Sequence, residues 1–138
     1  MKVIDSFQGE YRFLSNFWPV RVTLDEVVYP SVEHAYVAAK TLDLIARRDI
    51  PNMAAGAAKR YGGKIRIRSD WDEVRPHVMQ DLVVQKFNDP ELKQMLLSTG
   101  DATLIEGNTW GDQYWGMCNG VGQNNLGRLL MWVREGLK

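Results

Sequence analysis

Residues 29 to 40 read Tyr29-Pro30-Ser31-Val32-Glu33-His34-Ala35-Tyr36-Val37-Ala38-Ala39-Lys40, and the punctuation of this stretch decides how the chain divides into strand and helix. Pro30 followed by Ser31 punctuates the chain, and Ser31 has the side chain of an N-cap, so a helix is expected over residues 32–41. Upstream, Val20, Val22 and Leu24 alternate with Arg21 and Thr23, the period of a strand, and Asp25-Glu26 marks a turn into a second strand at 27–29. Inside the helix, Glu33 and Lys40 are seven residues apart. Seven steps of about 100° make almost two turns, so the two charges project in nearly the same direction, about 10 Å apart along the axis. That separation is too long for an ion pair and suits two groups reaching toward one small molecule. A solvated charged face satisfies the same spacing. Tyr36 and Val37 lie between the charges, and Ala35, Ala38 and Ala39 make the opposite side small enough for close helix packing.

Composition narrows the classes around this helix. A chain of 138 residues with 45% hydrophobic content can bury one substantial core, so residues 1–138 are expected to form a single domain. Seventeen basic and seventeen acidic residues cancel, so no global field recruits nucleic acid or an anionic membrane, and any such contact must be local. Cys118 is the only cysteine, which excludes an internal disulfide and a cysteine-rich metal site and makes a reducing, cytoplasmic setting the default. Met1 to Asp5 lack the apolar core of a signal peptide, and no run approaches the roughly 20 apolar residues of a membrane span. Neither export nor a membrane partner is expected. His34 and His77 lie far apart and outside any His-Glu-x-x-His spacing, so no metal and no cofactor is implied.

Working outward, a short strand is expected at 3–7 and helical turns at 42–48 and 52–60. Tyr61-Gly62-Gly63 interrupts the helical pattern, and Lys64-Ile65-Arg66-Ile67-Arg68 alternates with period two, as a short half-exposed strand or extended segment would. Its basic face could contact phosphate or simply be solvated. Helical spacing returns at 70–87 through Trp71, Arg75, Val78, Leu82 and Lys86, with Ser69 and Asp72 spaced as a capping box and Pro76 imposing either a kink or a separate first turn. Asp89 and Pro90 open another helix that stops near Gly100, and 103–106 reads as a strand. Asn124 or Asn125 would cap a last helix, in which Trp132 has the spacing of a core residue.

The last third gathers polar and aromatic residues in Glu106-Gly107-Asn108-Thr109-Trp110-Gly111-Asp112-Gln113-Tyr114-Trp115-Gly116, then Gly120-Val121-Gly122-Gln123-Asn124-Asn125-Leu126-Gly127. Indole faces stack on heterocycles, while amides and carboxylates hydrogen-bond to sugar hydroxyls and base edges, so these loops suit a nucleotide-like ligand. The glycine-rich approach to the last helix is expected to leave amide donors free for an anion. Gly120-x-Gly122 without a preceding strand is no dinucleotide fingerprint, and a plain turn accounts for it equally.

Several blocks in order carry a resemblance over nearly the whole chain. They are Phe7-x-Gly9-x-Tyr11-Arg12-Phe13-Leu14-Ser15-Asn16-Phe17-Trp18-Pro19; Tyr29 to Tyr36 with Lys40; Trp71-Asp72 with Arg75 and Met79; Lys86-Phe87; Leu96-Leu97-x-Thr99-Gly100; Leu104-Ile105-Glu106-x-Asn108-x-Trp110 with Asp112; Trp115-Gly116; and Gly120 to Gly127. With these, the chain resembles YbiA-like members of the NADAR superfamily. The resemblance implies an α+β fold, a mainly helical domain around a small β-sheet. It also implies an N-glycosidase acting where ribose is attached through nitrogen, either in phosphorylated ribosylaminopyrimidines of the riboflavin pathway or in ADP-ribosylated guanine, on nucleotides or nucleic acid.

In both substrate classes the ribose hangs from an exocyclic amine, and such ribosylamines open to an imine at C1. A neutral lysine can then displace the amine and leave a sugar Schiff base for water to hydrolyse, which makes Lys40 the candidate nucleophile. Glu33 is the first candidate for moving protons and Asp112 the second. The role requires Lys40 to be partly deprotonated near neutrality, through burial or a neighbouring cation such as Arg75. In the competing mechanism Glu33 and Asp112 activate water directly, and Lys40 becomes a phosphate or hydroxyl contact. Arg12 and Asn16 are candidate phosphate or ribose contacts, and Trp18, Tyr36, Trp71, Trp110 and Trp115 candidate cleft or stacking residues. Asn108, Gly122 and Asn124 contact ligand or order loops. His34 points about 100° away from Glu33 and is expected to be structural. A domain that only binds an ADP-ribose-like nucleotide is the non-enzymatic alternative, and it would have no need of the reactive pair.

Overall fold

The structure is a computed structural model describing residues 2–138, so Met1, the first residue of the N-terminal stretch and of the expected domain, lies outside it. The architecture is α+β and mainly helical, as expected, but its strands are spread over three two-stranded sheets among the described residues. The described residues gather into two compact units, one made of 16–86 and the other of the N-terminal residues up to 15 together with 87–138.

In the unit formed by 16–86, strands β2 (Pro19–Leu24) and β3 (Val27–Ser31) pair antiparallel, with Leu24 opposite Val27. Asp25 and Glu26 both have positive φ, 49° and 68°, which is the two-residue turn whose twist matches a hairpin. Val22 and Tyr29 face each other across the ladder and are both buried. From β3 the chain passes directly into α1 (Val32–Ala39), and the Ser31 side chain accepts from the His34 backbone N–H, the cap expected from the sequence. α1 ends two residues short of the expected boundary. It is followed by α2 (Leu44–Arg47), a 3₁₀ turn at Ile50–Asn52 and α3 (Ala55–Gly62), which continues through Tyr61 and Gly62 rather than stopping before them.

Residues 64–68 form no strand; Arg68 N–H donates to the Lys40 carbonyl at 2.7 Å, and among the described residues no partner strand accompanies the segment. α4 (Trp71–Lys86) runs unbroken through Pro76. Pro76 is exposed, and so is Asp72, whose carbonyl is the one that proline leaves without its helical partner. The first turn is held instead by Asp70, whose carbonyl accepts from Glu73 and Val74. Trp71, Met79, Leu82, Val83 and Lys86 form the buried stripe.

In the other unit, β1 (Val3–Ile4) pairs parallel with β4 (Thr103–Leu104), and β5 (Gly107–Asn108) with β6 (Met117–Cys118). A 3₁₀ segment (Gly9–Leu14) and α5 (Pro90–Ser98) complete it with α6 (Asn125–Leu137). α5 begins as expected, the Asp89 carboxylate accepting from Leu92 N–H behind Pro90. α6 buries Leu126, Gly127, Leu130, Val133 and Arg134, a stripe at spacings of three and four. Trp132 falls outside that stripe and is 59% exposed, so it is not the core residue its position suggested. Arg134 is buried and donates to the Thr99 hydroxyl and the Ala102 carbonyl, tying α6 to the connection between α5 and β4.

Candidate functional site

α1 is not a surface helix. Every residue from Val32 to Ala39 is buried except Glu33, and Glu33 and Lys40 are both half-buried, so the charged pair stands at the margin of a packed core. Three sets of bonds fix this helix. Asn16 accepts the Glu33 amide N–H through its carbonyl at 3.0 Å, which sets the N-terminal turn. His34 is structural as expected: Nε2 donates to the Met53 carbonyl at 2.7 Å, leaving Nδ1 to accept the Ser31 hydroxyl at 2.6 Å. At the other end, buried Arg47 donates Nε to the carbonyls of Ala38 and Thr41, both at 2.8 Å, and pairs with Asp25 at 2.7 Å. The Ala38 carbonyl also accepts from Thr41 N–H at 3.2 Å, so the guanidinium adds a second donor there, bonds the Thr41 carbonyl and complements the helix's negative end. With the Lys40 carbonyl taken by Arg68, the backbone under Lys40 is held from two sides.

The Lys40 amine sits among groups that oppose its charge. Burial, the largest influence, lowers its pKa from the ordinary lysine value; Glu33 pulls the other way, and Lys59 and Arg75 lower it further. The Tyr36 ring, 5.7 Å from Nζ at its centroid, stands on the side of the charged form with Glu33. Burial and two cations therefore work against one carboxylate and one ring face. The direction of the shift is the one a nucleophilic lysine calls for, and Arg75 is among its causes. Tyr36 in turn packs on Trp71 with ring centroids 5.1 Å apart and planes tilted by 55°, and Trp71 is buried behind it. Trp18 is half-buried, and the Asn16 side chain reaches the Met79 sulfur at 3.6 Å.

Sequence reasoning missed two features of this unit. α3 contributes Gly62, where a Cβ would come within 3.1 Å of a Val37 methyl and 3.4 Å of Lys40 Nζ, and Lys59 one turn earlier. The spacing Lys59-x-x-Gly62 beside small alanines was the available signal. Lys86 was read as part of a helical stripe, but it is fully buried, and burial pushes its amine down to about 7.

The other candidate residues gather in the second unit, where they fasten loops to one another. Asn108 Nδ2 donates to the Asp112 carbonyl at 2.9 Å and to a Glu106 carboxylate oxygen at 3.1 Å, while its Oδ1 accepts from Asp112 N–H at 3.0 Å. Asp112 Oδ1 accepts from the backbone N–H groups of Tyr114 and Trp115 at 3.0 and 2.9 Å. Asn124, in a left-handed conformation, precedes α6 without capping it through its side chain; Nδ2 donates to the Leu104 carbonyl and Oδ1 accepts from Glu106 N–H, both at 3.0 Å. The free amide donors expected here are occupied. Gln123, Asn124, Asn125 and Leu126 donate to the carbonyls of Gln113, Gly116, Tyr114 and Trp115. Gly122, at φ 151°, permits that approach, since a Cβ there would collide with the Gly116 carbonyl. Trp115 packs edge-on to Tyr114 at 4.7 Å, Trp110 is 56% exposed, and Arg12 is exposed on the 3₁₀ segment.

The basic strip at 64–68 is smaller than it looked, because Asp70 grips Arg68 through two bonds at 2.6 and 3.0 Å. No group of three or more His, Cys, Asp or Glu placed to hold a metal occurs among the described residues, and no described helix is long and apolar enough to cross a membrane.

Comparison with known proteins adds the following. A family model described as the NADAR domain matches residues 5–138, spanning both units. An N-glycosidase YbiA of Shigella boydii is 37% identical over 139 residues, covering 96% of this chain and 85% of the relative. A riboflavin biosynthesis protein of Vibrio vulnificus is 38% identical over 134 residues, covering 91% of this chain and 35% of that longer protein. The NMR structure of Escherichia coli YbiA superposes with a TM-score of 0.84 at 34% identity, over 99% of this chain and 86% of that one.

Proposed function

The chain belongs to the NADAR domain family, and on that premise we propose that it is an N-glycosidase releasing ribose from an exocyclic amine nitrogen. Its substrate in this reading is a phosphorylated ribosylaminopyrimidine, an intermediate of riboflavin synthesis, as the Vibrio relative's name suggests. The observation that carries the reading is the Lys40 amine, half-buried, with its pKa lowered by burial, Lys59 and Arg75, and with Glu33 acting on it from the same helix.

Ring opening of the ribosylamine gives a protonated imine at C1. The Lys40 nitrogen adds to C1, Glu33 carries a proton from that nitrogen to the departing one, and the C1–N bond to the pyrimidine breaks, releasing an amine. The sugar is left as an iminium on Lys40. Water adds to C1, Glu33 takes its proton, and collapse of the carbinolamine frees the aldehyde sugar and the lysine amine. Glu33 is preferred to Asp112 for the proton transfers because Asp112 Oδ1 already accepts two backbone N–H bonds. Tyr36, backed by Trp71, forms one wall beside Lys40, with Asn16, Trp18 and Arg75 as further candidate contacts in the same unit. Arg12, Asn108, Trp110, Trp115, Gly122 and Asn124 are assigned to a supporting or contacting role.

The 64–68 segment offers less to nucleic acid carrying ADP-ribosyl guanine than its sequence suggested, since Arg68 is committed to Asp70 and only Lys64 and Arg66 remain. A binding-only domain leaves the environment of Lys40 without a use. Incubation of the purified protein with each substrate class, following free base and free sugar, tests the reading. Release from the ribosylaminopyrimidine is expected; ligand binding without release of sugar would overturn it.

A further inference from the structure

We propose that Lys59 is a positioning residue of the same centre, an ammonium presented by α3 beside Lys40 to act electrostatically rather than to react. The inference rests on the assignment of Lys40 above. Lys59 and Gly62 are three apart on α3 and share a face, and a Cβ at Gly62 would lie 3.4 Å from Lys40 Nζ. The same face therefore brings the Lys59 ammonium toward the reactive amine. Its Nζ lies 5.8 Å from the centroid of the Phe17 ring, so an aromatic face next to Trp18 favours a charged, not a neutral, group there. A missing side chain at 62 and a cation at 59 complement each other: one gives Lys40 room beside α3, the other keeps positive charge close without touching it.

The charged and titratable groups acting on Lys40 come from three helices. Glu33 and Tyr36 belong to α1, Lys59 to α3 and Arg75 to α4. Of the two cations, Arg75 is partly offset by Asp72 at 3.8 Å, and Lys59 has the larger influence on Lys40. A positive neighbour destabilises the ammonium form of Lys40 and leaves more of it as the attacking amine. Because Lys59 is exposed, its effect is also open to screening by salt.

The test reads the ionisation of Lys40 directly and needs no turnover. Lys40 is acetylated competitively with trace acetic anhydride from pH 6 to 10 in the wild type, Lys59→Gln and Lys59→Arg, and quantified by mass spectrometry. In Lys59→Gln the labelling curve is expected to move to higher pH, with labelling at pH 7.5 falling by about twofold. Lys59→Arg is expected to keep the wild-type curve. Added salt should move the wild type in the direction of Lys59→Gln and move Lys59→Gln less. Superimposable curves for wild type and Lys59→Gln, or an Arg variant that behaves like Gln, would overturn the inference. Failure of the Lys40 mechanism is read separately, as a shifted labelling curve with no sugar adduct on Lys40.

Discussion

In the proposed mechanism Lys40 is the attacking group, and because its surroundings oppose its charge the consequence is a pH dependence of known sign. Its folded pKa lies below the ordinary value of 10.5, so the attacking amine becomes populated at lower pH than for a free lysine. kcat/KM should rise with pH through that lowered pKa; a flat profile across the neutral and mildly alkaline range would contradict it. Lys40→Ala should lose on the order of a thousandfold in turnover, and Glu33→Gln about a hundredfold, both measured as released base. Lys86 provides a second test at this scale. Its folded pKa of about 7 is depressed from 10.5, so the unfolded chain binds the proton more tightly. Lys86 therefore costs most stability below about pH 7, and that cost fades as pH rises toward the unfolded value. Denaturant midpoints should show the stability of Lys86→Met relative to wild type falling by up to about 1.4 kcal/mol per pH unit between pH 7 and 10. The seven-residue spacing of Glu33 and Lys40 was legible in sequence, but burial was not, since it depends on neighbours brought in from α3 and α4.

The elements were legible where local chemistry dictates them. Ser31 caps α1, Asp25-Glu26 turns the hairpin and Asp89-Pro90 starts α5, each through bonds or dihedrals within a few residues. Ser31→Ala should cost about 1 kcal/mol in stability by denaturant melts. Expectations failed where distant backbone decides. Of the two forms expected for residues 64–68 the strand is excluded, since they have no partner strand among the described residues, and the amides at the start of α6 are consumed by the carbonyls of 113–116. Sequence spacing does not register Arg47 closing the end of α1 either, since its partners are carbonyls six and nine residues away. Arg47→Met should cost about 2 kcal/mol, leaving the Thr41 carbonyl without its side-chain donor and the Ala38 carbonyl with the Thr41 N–H alone. Turnover should drop with it if Lys40 needs a fixed backbone. Gly62→Ala must displace Val37 methyls by a few tenths of an ångström, so it should lower kcat more than it raises KM.

Over the whole molecule, two units are each tied internally, one by the hairpin and its helices, the other by Asn108, Asn124 and Arg134. The family model runs through both, which is why the resemblance could be read from motifs scattered along the chain. Formal charge balances at zero, and the basic strip is reduced to Lys64 and Arg66 once Asp70 holds Arg68. Lys64→Gln with Arg66→Gln should therefore change kcat/KM for a small phosphorylated ribosylamine by no more than about twofold. The proposed mechanism turns on a covalent sugar on Lys40. Sodium borohydride added during turnover, followed by peptide mass spectrometry, tests it most directly. A reduced pentose phosphate adduct on Lys40, absent in Lys40→Ala and without substrate, is the predicted result. No adduct, together with retained turnover in Lys40→Ala, would contradict it.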